Sequence, residues 1–357
     1  IQEHGYQGIR KDDLVIHAMD AFAGAIGVSD SEGKATPVYA ACVGRGEFKT
    51  NSQYFAYLLR FISKAGYILA LAKGIRERST DFRFNDFGKL LLPLPPKAEQ
   101  DRIANFLDQK TAEIDEAIAK KQRLIELLKE QKAILINQAV TKGLNPDVAM
   151  RDSGVEWIGE VPVHWTVQRA KFLFREIDKR SETGEEELLS VSHMTGVTPR
   201  SEKNNVYMFM AEDYSGSKLC HKDDLVFNIM WAWMGAVGVS DRTGIVSPSY
   251  GVYRQKKSGT FNSWYLENLL RSGQYVAEYN RRSTGLHSSR LRLYPDMFFD
   301  MEIGFPPKIE QDVIESTVGE RTSEIDAALK AVETEIETIS EYRNVIITEA
   351  VTGKIKL

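Results

Sequence analysis

The sequence predicts an α+β chain of two repeated globular units, each followed by a long helix, with the two long helices paired as a coiled coil. Three observations predict it. First, Pro95 to Thr141 and Pro306 to Thr352 both open on Pro-Pro-Lys-x-Glu-Gln-Asp and both close on Ala-Val-Thr, 211 positions apart at either end. Second, both stretches carry a heptad stripe in alternating steps of four and three. Third, shorter matches lie ahead of each long stretch at the same offset. Lys11-Asp12-Asp13-Leu14-Val15 matches Lys222-Asp223-Asp224-Leu225-Val226, and Gly24 to Asp30 matches Gly235 to Asp241.

The first stripe runs through Ile114, Ile118, Lys121, Ile125, Leu128, Lys132, Leu135 and Ala139. The second runs through Ile325, Leu329, Val332, Ile336, Ile339, Arg343, Ile346 and Ala350. A 4-3 repeat places one apolar stripe on one side of a helix and calls for a partner helix. Each copy supplies the other's partner, so Ile114, Ile118, Ile125, Leu128 and Leu135 are expected to pack with Ile325, Leu329, Val332, Ile336, Ile339 and Ile346. Lys132 and Arg343 hold equivalent slots in the stripe, where a charge costs stability and serves to fix register or orientation. Residues 97–142 carry nine Lys/Arg against eight Asp/Glu, whereas residues 308–352 carry four against eleven. A near-neutral helix beside an acidic one favours pairing within the chain, although rim charges contribute little energy.

A length of 357 residues suffices for two domains plus connecting helices. Two cysteines, Cys42 and Cys220, are not repeat counterparts and form no Cys-x-x-Cys, so neither a disulfide framework nor a zinc site is indicated. A reducing, cytoplasmic setting is expected. The apolar run Leu225 to Val239 is too short to span a bilayer, so no membrane partner is expected. The net charge is −4, but the acidity sits in the long helices, which leaves the globular parts slightly basic and compatible with DNA.

In chain order, residues 1–94 form the first unit. The counterpart of Trp157, where the second unit opens, falls ahead of Ile1, so the first unit is expected to lack its start. Asn51 to Ala72 reads as helix and is followed by the basic stretch Lys73 to Thr80. Residues 95–142 are the first long helix, with Pro at its start and Gly143 after its end. Residues 143–156 are a turn-rich linker containing Asn145-Pro146 and Ser153-Gly154. The second unit, 157–305, includes a strand at Leu225 to Ile229, a tight turn between Gly235 and Gly238, and a helix from Phe261 to Tyr279. A polar loop, Asn280 to Arg290, then leads through a strand to the second long helix, residues 306–357.

Trp157-Ile158-Gly159-Glu160-Val161-Pro162 with Trp165, the Pro-Pro-x-x-Glu-Gln helix openings, the Ala-Val-Thr ends and the duplicated layout together resemble the specificity subunit of type I DNA restriction–modification systems. The resemblance covers essentially the whole chain. It implies two target-recognition domains joined by a long antiparallel two-helix coiled coil, each domain reading half of a split site in double-stranded DNA. It also implies that two methyltransferase subunits dock on the helices and that restriction subunits join that core. S-adenosylmethionine, ATP and Mg are then expected on those partners, with no cofactor on this chain.

The sequence carries little that resembles catalytic chemistry. No Asn/Asp-Pro-Pro-aromatic signature occurs, Gly27 to Lys34 departs from phosphate-loop spacing, and the six histidines are dispersed. Recognition chemistry remains. Arg281, Arg282, Ser283, Thr284, His287, Ser288 and Arg290 combine guanidinium groups with small hydroxyls, which grip phosphate or base edges; the other reading is a solvated loop. Arg282→Ala or Arg290→Ala is expected to weaken DNA binding with little effect on folding. Lys73, Arg76 and Arg78 occupy the equivalent stretch in the first unit. Trp231 and Trp233 read either as core aromatics or as DNA-facing. Lys179 and Arg180 read as phosphate grips or as solvated charge. Ser192, His193, Met194 and Arg200 are expected to be structural. A protein–protein adaptor with a coiled-coil spacer is the competing function, and it requires neither a steep salt slope nor base discrimination.

A helix of roughly 30 residues spans about 45 Å, a little over one DNA turn of about 34–36 Å. The helix pair is therefore expected to act as a ruler. Adding one heptad to both helices should lengthen the gap between half-sites, and methylation mapping that finds the original gap would refute the ruler.

Overall fold

The computed structural model describes residues 5–46, 49–71, 82, 84–202, 213–285 and 291–357. The chain divides into unit 1, Ile1–Glu126 with Lys330–Leu357, and unit 2, Leu127–Leu329, so each unit holds part of both long helices.

In unit 1, β1 (Gln7–Ile9) pairs antiparallel with β4 (Gly33–Ala35), and β2 (Leu14–His17) lies between β3 (Ile26–Val28) and β5 (Tyr39–Cys42). Helices α1 (Ser52–Lys64), α2 (Tyr67–Leu71) and α3 (Phe84–Phe87) precede the long α4 (Lys97–Lys142). Unit 2 opens with the pair β6 (Met150–Asp152) and β7 (Glu160–Pro162), then β8 (Thr166–Arg169), α5 (Ala170–Leu173) and β9 (Phe174–Glu176). The hairpin β10 (Leu189–Ser192) and β11 (Gly196–Pro199) comes next, then β12 (Lys218–Cys220), β13 (Leu225–Phe227), β14 (Val237–Val239), β15 (Gly244–Val246) and β16 (Gly251–Gln255). Helices α6 (Ser263–Leu270), α7 (Gly273–Arg282) and α8 (Pro295–Phe299) lead to β17 (Glu302–Phe305) and the long α9 (Lys308–Val351). The main sheet runs β14-β13-β16-β9, and β17 pairs with β8.

The repeat extends to strand register. Gln7 faces Ala35 across β1–β4, and their counterparts Lys218 and Val246 face each other across β12–β15. The helix expected over Phe261 to Tyr279 is two helices. Ser272 adopts an extended conformation, and the chain restarts as α7 at Gly273. A Ser-Gly pair is a weak point at which a helix can break to follow its core.

The Pro-Pro-Lys-x-Glu-Gln-Asp motif does more than open a helix. Gln100 and Gln311 are fully buried. Gln100 Oε1 accepts from Asn51 N at 2.8 Å and its Nε2 donates to Pro95 O at 2.8 Å. Gln311 Oε1 accepts from Asn262 N at 2.8 Å, and its Nε2 donates to Pro306 O at 2.9 Å and Thr260 O at 3.0 Å. Asn51 and Asn262 are the N-caps of α1 and α6, their side chains accepting from the first turn. Their amide groups donate to Asp101 at 2.6 Å and Asp312 at 2.7 Å. Lys97 first, and Asn51 second, hold the Asp101 carboxyl below its usual range; Lys308 and Asn262 do the same for Asp312. In each unit the motif thus clamps a globular helix onto a long one through groups that must be satisfied once buried.

The heptad stripes behave as a packed seam. Ile114, Val332 and Ile346 are buried, and Ile118, Ile125, Leu128, Leu135, Ile325, Leu329, Ile336 and Ile339 are half-buried. Two helices cannot fully enclose a seam, which explains the partial exposure. Within unit 1, α4 and α9 are antiparallel: Asp115 pairs with Arg343 at 3.0 Å, and Lys121 pairs with Glu335. Within unit 2 they are antiparallel again, with Lys132 on Asp326 at 2.6 Å and Gly143 near Glu310. Lys132 and Arg343 are therefore not desolvated core charges. Their stems lie in the seam while their heads reach an aspartate on the opposite helix. The two pairs are the same interaction repeated, since Lys132 and Arg343 are counterparts and so are Asp326 and Asp115.

Unit 1 closes its end of the seam with Ile103, Ala104 and Leu107 packed on Tyr54, Tyr57, Leu58, Ile346, Ala350 and Val351. Unit 2 does so with Ala139, Val140, Ile314 and Val318 joined to Trp165, Tyr265 and Leu269, the Tyr265 hydroxyl donating to Val140 O at 2.9 Å. Among the described residues no helix is long and apolar enough to cross a membrane.

Gln311→Ala should cost about 1–3 kcal/mol by leaving the Asn262 N–H without its acceptor. Urea denaturation reads this directly, and a midpoint equal to wild type would show that the clamp contributes nothing.

Candidate nucleic-acid interface

Strand β13 ends at Phe227, and the buried Asn228 fixes the turn beyond it. Its amide donates to the Tyr250 hydroxyl at 2.9 Å and its Oδ1 accepts from Met230 N at 3.3 Å. One 3-10 turn, Ala232–Met234, is closed by Gly235 in the left-handed region at φ 86°. A Cβ there would be strained and would meet Val276 at 3.1 Å. Ala232 is buried under this corner, whereas Trp231 is 47% exposed on top of it. Trp231 stacks on Trp233 at 5.9 Å and 21°. Trp233 is half-buried and spends its indole N–H on Met230 O at 3.0 Å. Of the two tryptophans, then, Trp231 faces outward and Trp233 props it.

The basic segment is placed differently from expectation. Helix α7 continues through Arg282, so Arg281 and Arg282 form its last turn rather than a loop. Both guanidinium groups lie on Glu278, Arg281 at 2.6 Å and Arg282 at 2.5 Å. Glu278 is only 2% exposed. Burial pushes its carboxyl up, but Arg281 and Arg282 together pull it below the usual glutamate range. Arg282 is itself largely covered and also approaches Glu302 at 3.9 Å. That guanidinium neutralises a buried carboxylate, so the geometry argues against the expectation that Arg282→Ala has little effect on folding. Sequence reasoning passes over Glu278, although its spacing of three and four residues from the arginines is a readable signal.

Ser283 Oγ is buried without a hydrogen-bond partner, so it does not reach out of the unit. Thr284 and Arg292 exchange backbone hydrogen bonds at 3.1 and 3.0 Å, and Leu293 N donates to Ile229 O at 3.0 Å. The ends of the segment are thereby tied beside the Trp231 corner. His287, Ser288 and Arg290 lie outside the described residues, as do Lys73, Arg76 and Arg78. Lys179 is exposed, while the Arg180 guanidinium is held by Asp178 at 2.9 Å and Gly216 O at 3.1 Å. The turn at His193 and Met194 is gripped through its carbonyls by Arg271, at 2.6 and 2.8 Å. Arg254 neutralises the buried Asp224 with two bonds of 2.7 and 2.8 Å.

Among the described residues no group of three or more His, Cys, Asp or Glu side chains is placed to hold a metal ion. Cys42 and Cys220 are buried, and burial pushes both thiols up to about 11, which disfavours the reactive thiolate. Among the described residues, unit 2 thus presents an outward indole, Trp231, on a closed turn, while the Arg281 and Arg282 guanidinium groups are engaged by Glu278.

Arg282→Ala should destabilise the chain by about 1–3 kcal/mol, since Glu278 keeps only the more exposed Arg281. Glu278 has a lowered folded-state pKa, so its contribution is present above the ordinary glutamate range and is lost as pH falls through the lowered value. In Arg282→Ala, acid destabilisation should begin at higher pH than in wild type. Urea midpoints measured from neutral to acid pH check both outcomes, and superimposable profiles would contradict the triad.

No protein-family model and no curated protein matches the sequence. Solved structures do. A chain from the structure describing complex assembly and conformational transition of the type I R-M system aligns with a TM-score of 0.69 at 15% identity, over 97% of this chain and 83% of that one. The HsdS subunit from Thermoanaerobacter tengcongensis aligns with a TM-score of 0.58 at 15% identity, over 99% of this chain and 84% of that one. With its two repeated units and paired long helices, the chain has the fold of type I restriction–modification specificity subunits.

Proposed function

We propose that this chain is the specificity subunit of a type I restriction–modification system, a non-catalytic reader of double-stranded DNA. In this reading each unit recognises half of a bipartite target. The long helices dock two methyltransferase subunits, and restriction subunits join the assembly. S-adenosylmethionine, ATP and Mg would be held by those partners.

The observation that carries the reading is a structural frame repeated in both copies, on the fold of solved type I specificity subunits. The same clamp, strand registers and ion pair recur in both copies. Docking of identical partners is supported by a second apolar position away from the seam. Ile134 is 57% exposed and its repeat counterpart Val345 is 51% exposed. Beta-branched side chains left in water near the C-terminal ends of charged helices bury no core surface, and equivalent positions suit two copies of one partner.

The chain should bind duplex DNA with sequence preference and with affinity that falls steeply as salt rises. Salt-insensitive, sequence-blind behaviour would favour the adaptor reading instead. Ile134→Asp and Val345→Asp should each remove about one of the two methyltransferase subunits in co-purification and leave the melting temperature unchanged. Full methyltransferase content in the double variant would remove this surface from the assembly.

A further inference from the structure

The corner that carries Trp231 is built twice with one set of bonds. In unit 1, His17 N donates to Ala25 O at 3.0 Å, Asp20 N to His17 O at 3.2 Å, Gly24 N to Ala21 O at 3.0 Å and Ala25 N to Asp20 O at 3.1 Å. In unit 2, the counterpart bonds are Asn228 N to Ala236 O at 3.0 Å, Trp231 N to Asn228 O at 2.9 Å, Gly235 N to Ala232 O at 2.7 Å and Ala236 N to Trp231 O at 3.2 Å. Gly24 and Gly235 share the left-handed conformation, at φ 90° and 86°. Ala21 and Ala232 are each fully buried beneath the turn. Residue 17 or 228 fixes a tyrosine in both cases: His17 lies edge-on to Tyr39 at 4.7 Å, and Asn228 bonds the Tyr250 hydroxyl.

Each corner also accepts one further backbone hydrogen bond, and the two donors are repeat counterparts. Phe82 N donates to Ala18 O at 3.0 Å in unit 1, and Leu293 N donates to Ile229 O at 3.0 Å in unit 2. What differs is the outward side chain. Unit 1 presents the Asp20 carboxylate, 61% exposed, on a backbone whose N–H donates to His17 Nδ1 at 3.1 Å. Unit 2 presents the Trp231 indole, braced by Trp233.

From this constant frame with a changed tip, we infer that Asp20 and Trp231 are base-reading positions of the two units, set to different bases. The inference rests on the chain being a DNA specificity subunit. A carboxylate accepts a hydrogen bond from the exocyclic amine of cytosine and repels phosphate and carbonyl acceptors. An indole offers a flat apolar face to a thymine methyl or an unstacked base. A tip mounted on a closed turn with a buried alanine below it is rigid, which positions a base contact better than a free loop does.

The test is co-expression of the full chain with its methyltransferase subunits, followed by genome-wide mapping of modified adenines. Trp231→Ala should relax one base position in one half-site, lowering discrimination there by roughly ten- to a hundredfold. Asp20→Asn should do the same in the other half-site. Both variants should melt with wild-type chain, because each altered side chain lies outside the core. A motif unchanged in both variants, or modification lost evenly across both half-sites in a folded variant, would overturn the inference while leaving the specificity-subunit reading intact. Absence of any sequence-dependent modification by the wild-type complex would overturn both.

Discussion

The antiparallel contact between the two long helices is the constraint on which the rest of the molecule depends. Neither helix can bury its stripe alone, and each unit contains a length of both. The seam is weak by the standards of a globular core, since most stripe residues keep part of their surface in water. Apolar stripes of this kind tolerate slippage by a heptad. The repeated aspartate pairs discriminate against it, because a shifted register would leave Lys132 and Arg343 in the seam without their partners. The net energy of an exposed ion pair is small, so these contacts select a register more than they stabilise it.

Onto that seam each unit is fastened by a glutamine. Gln100 and Gln311 each bond the backbone at an N-cap and a carbonyl at the start of their own helix, and both are fully buried. Any tilt of the capped helix breaks two bonds at once. The arrangement explains why Pro-Pro, Gln and Asp recur together. Proline starts the long helix, glutamine locks it to the globular helix, and aspartate anchors the side chain of the capping asparagine.

Much of this is legible in the sequence. Heptad spacing locates the seam residue by residue, because burial in a two-helix coil tracks position directly, as at Ile114, Val332 and Ile346. The repeat locates counterpart strands for the same reason. Tertiary partners are less visible. Gln311 reads as helix-opening punctuation because the asparagine it holds is 49 residues away. Arg281 and Arg282 read as solvent-facing because nothing in a local window marks Glu278 as buried. The break at Ser272 is signalled only by the Ser272-Gly273 pair, which the apolar pattern running through Phe261 to Tyr279 masks. Trp231 and Trp233 alternate in sequence, but a 3-10 turn rather than a strand sets which one faces out. What the chain exposes for recognition therefore depends on backbone geometry that composition leaves open.

The most direct test of the helix pairing is cysteine cross-linking with a short bismaleimide, whose reach replaces that of the long Lys and Arg side chains. Replacing Lys132 and Asp326 by cysteine in one variant, and Asp115 and Arg343 in another, should give rapid intramolecular cross-links in both. A control that joins Lys132→Cys to Glu333→Cys, one heptad out of register, should cross-link much more slowly. Cross-linking of the control at the rate of the in-register pairs, or its absence in them, would contradict the paired-helix account.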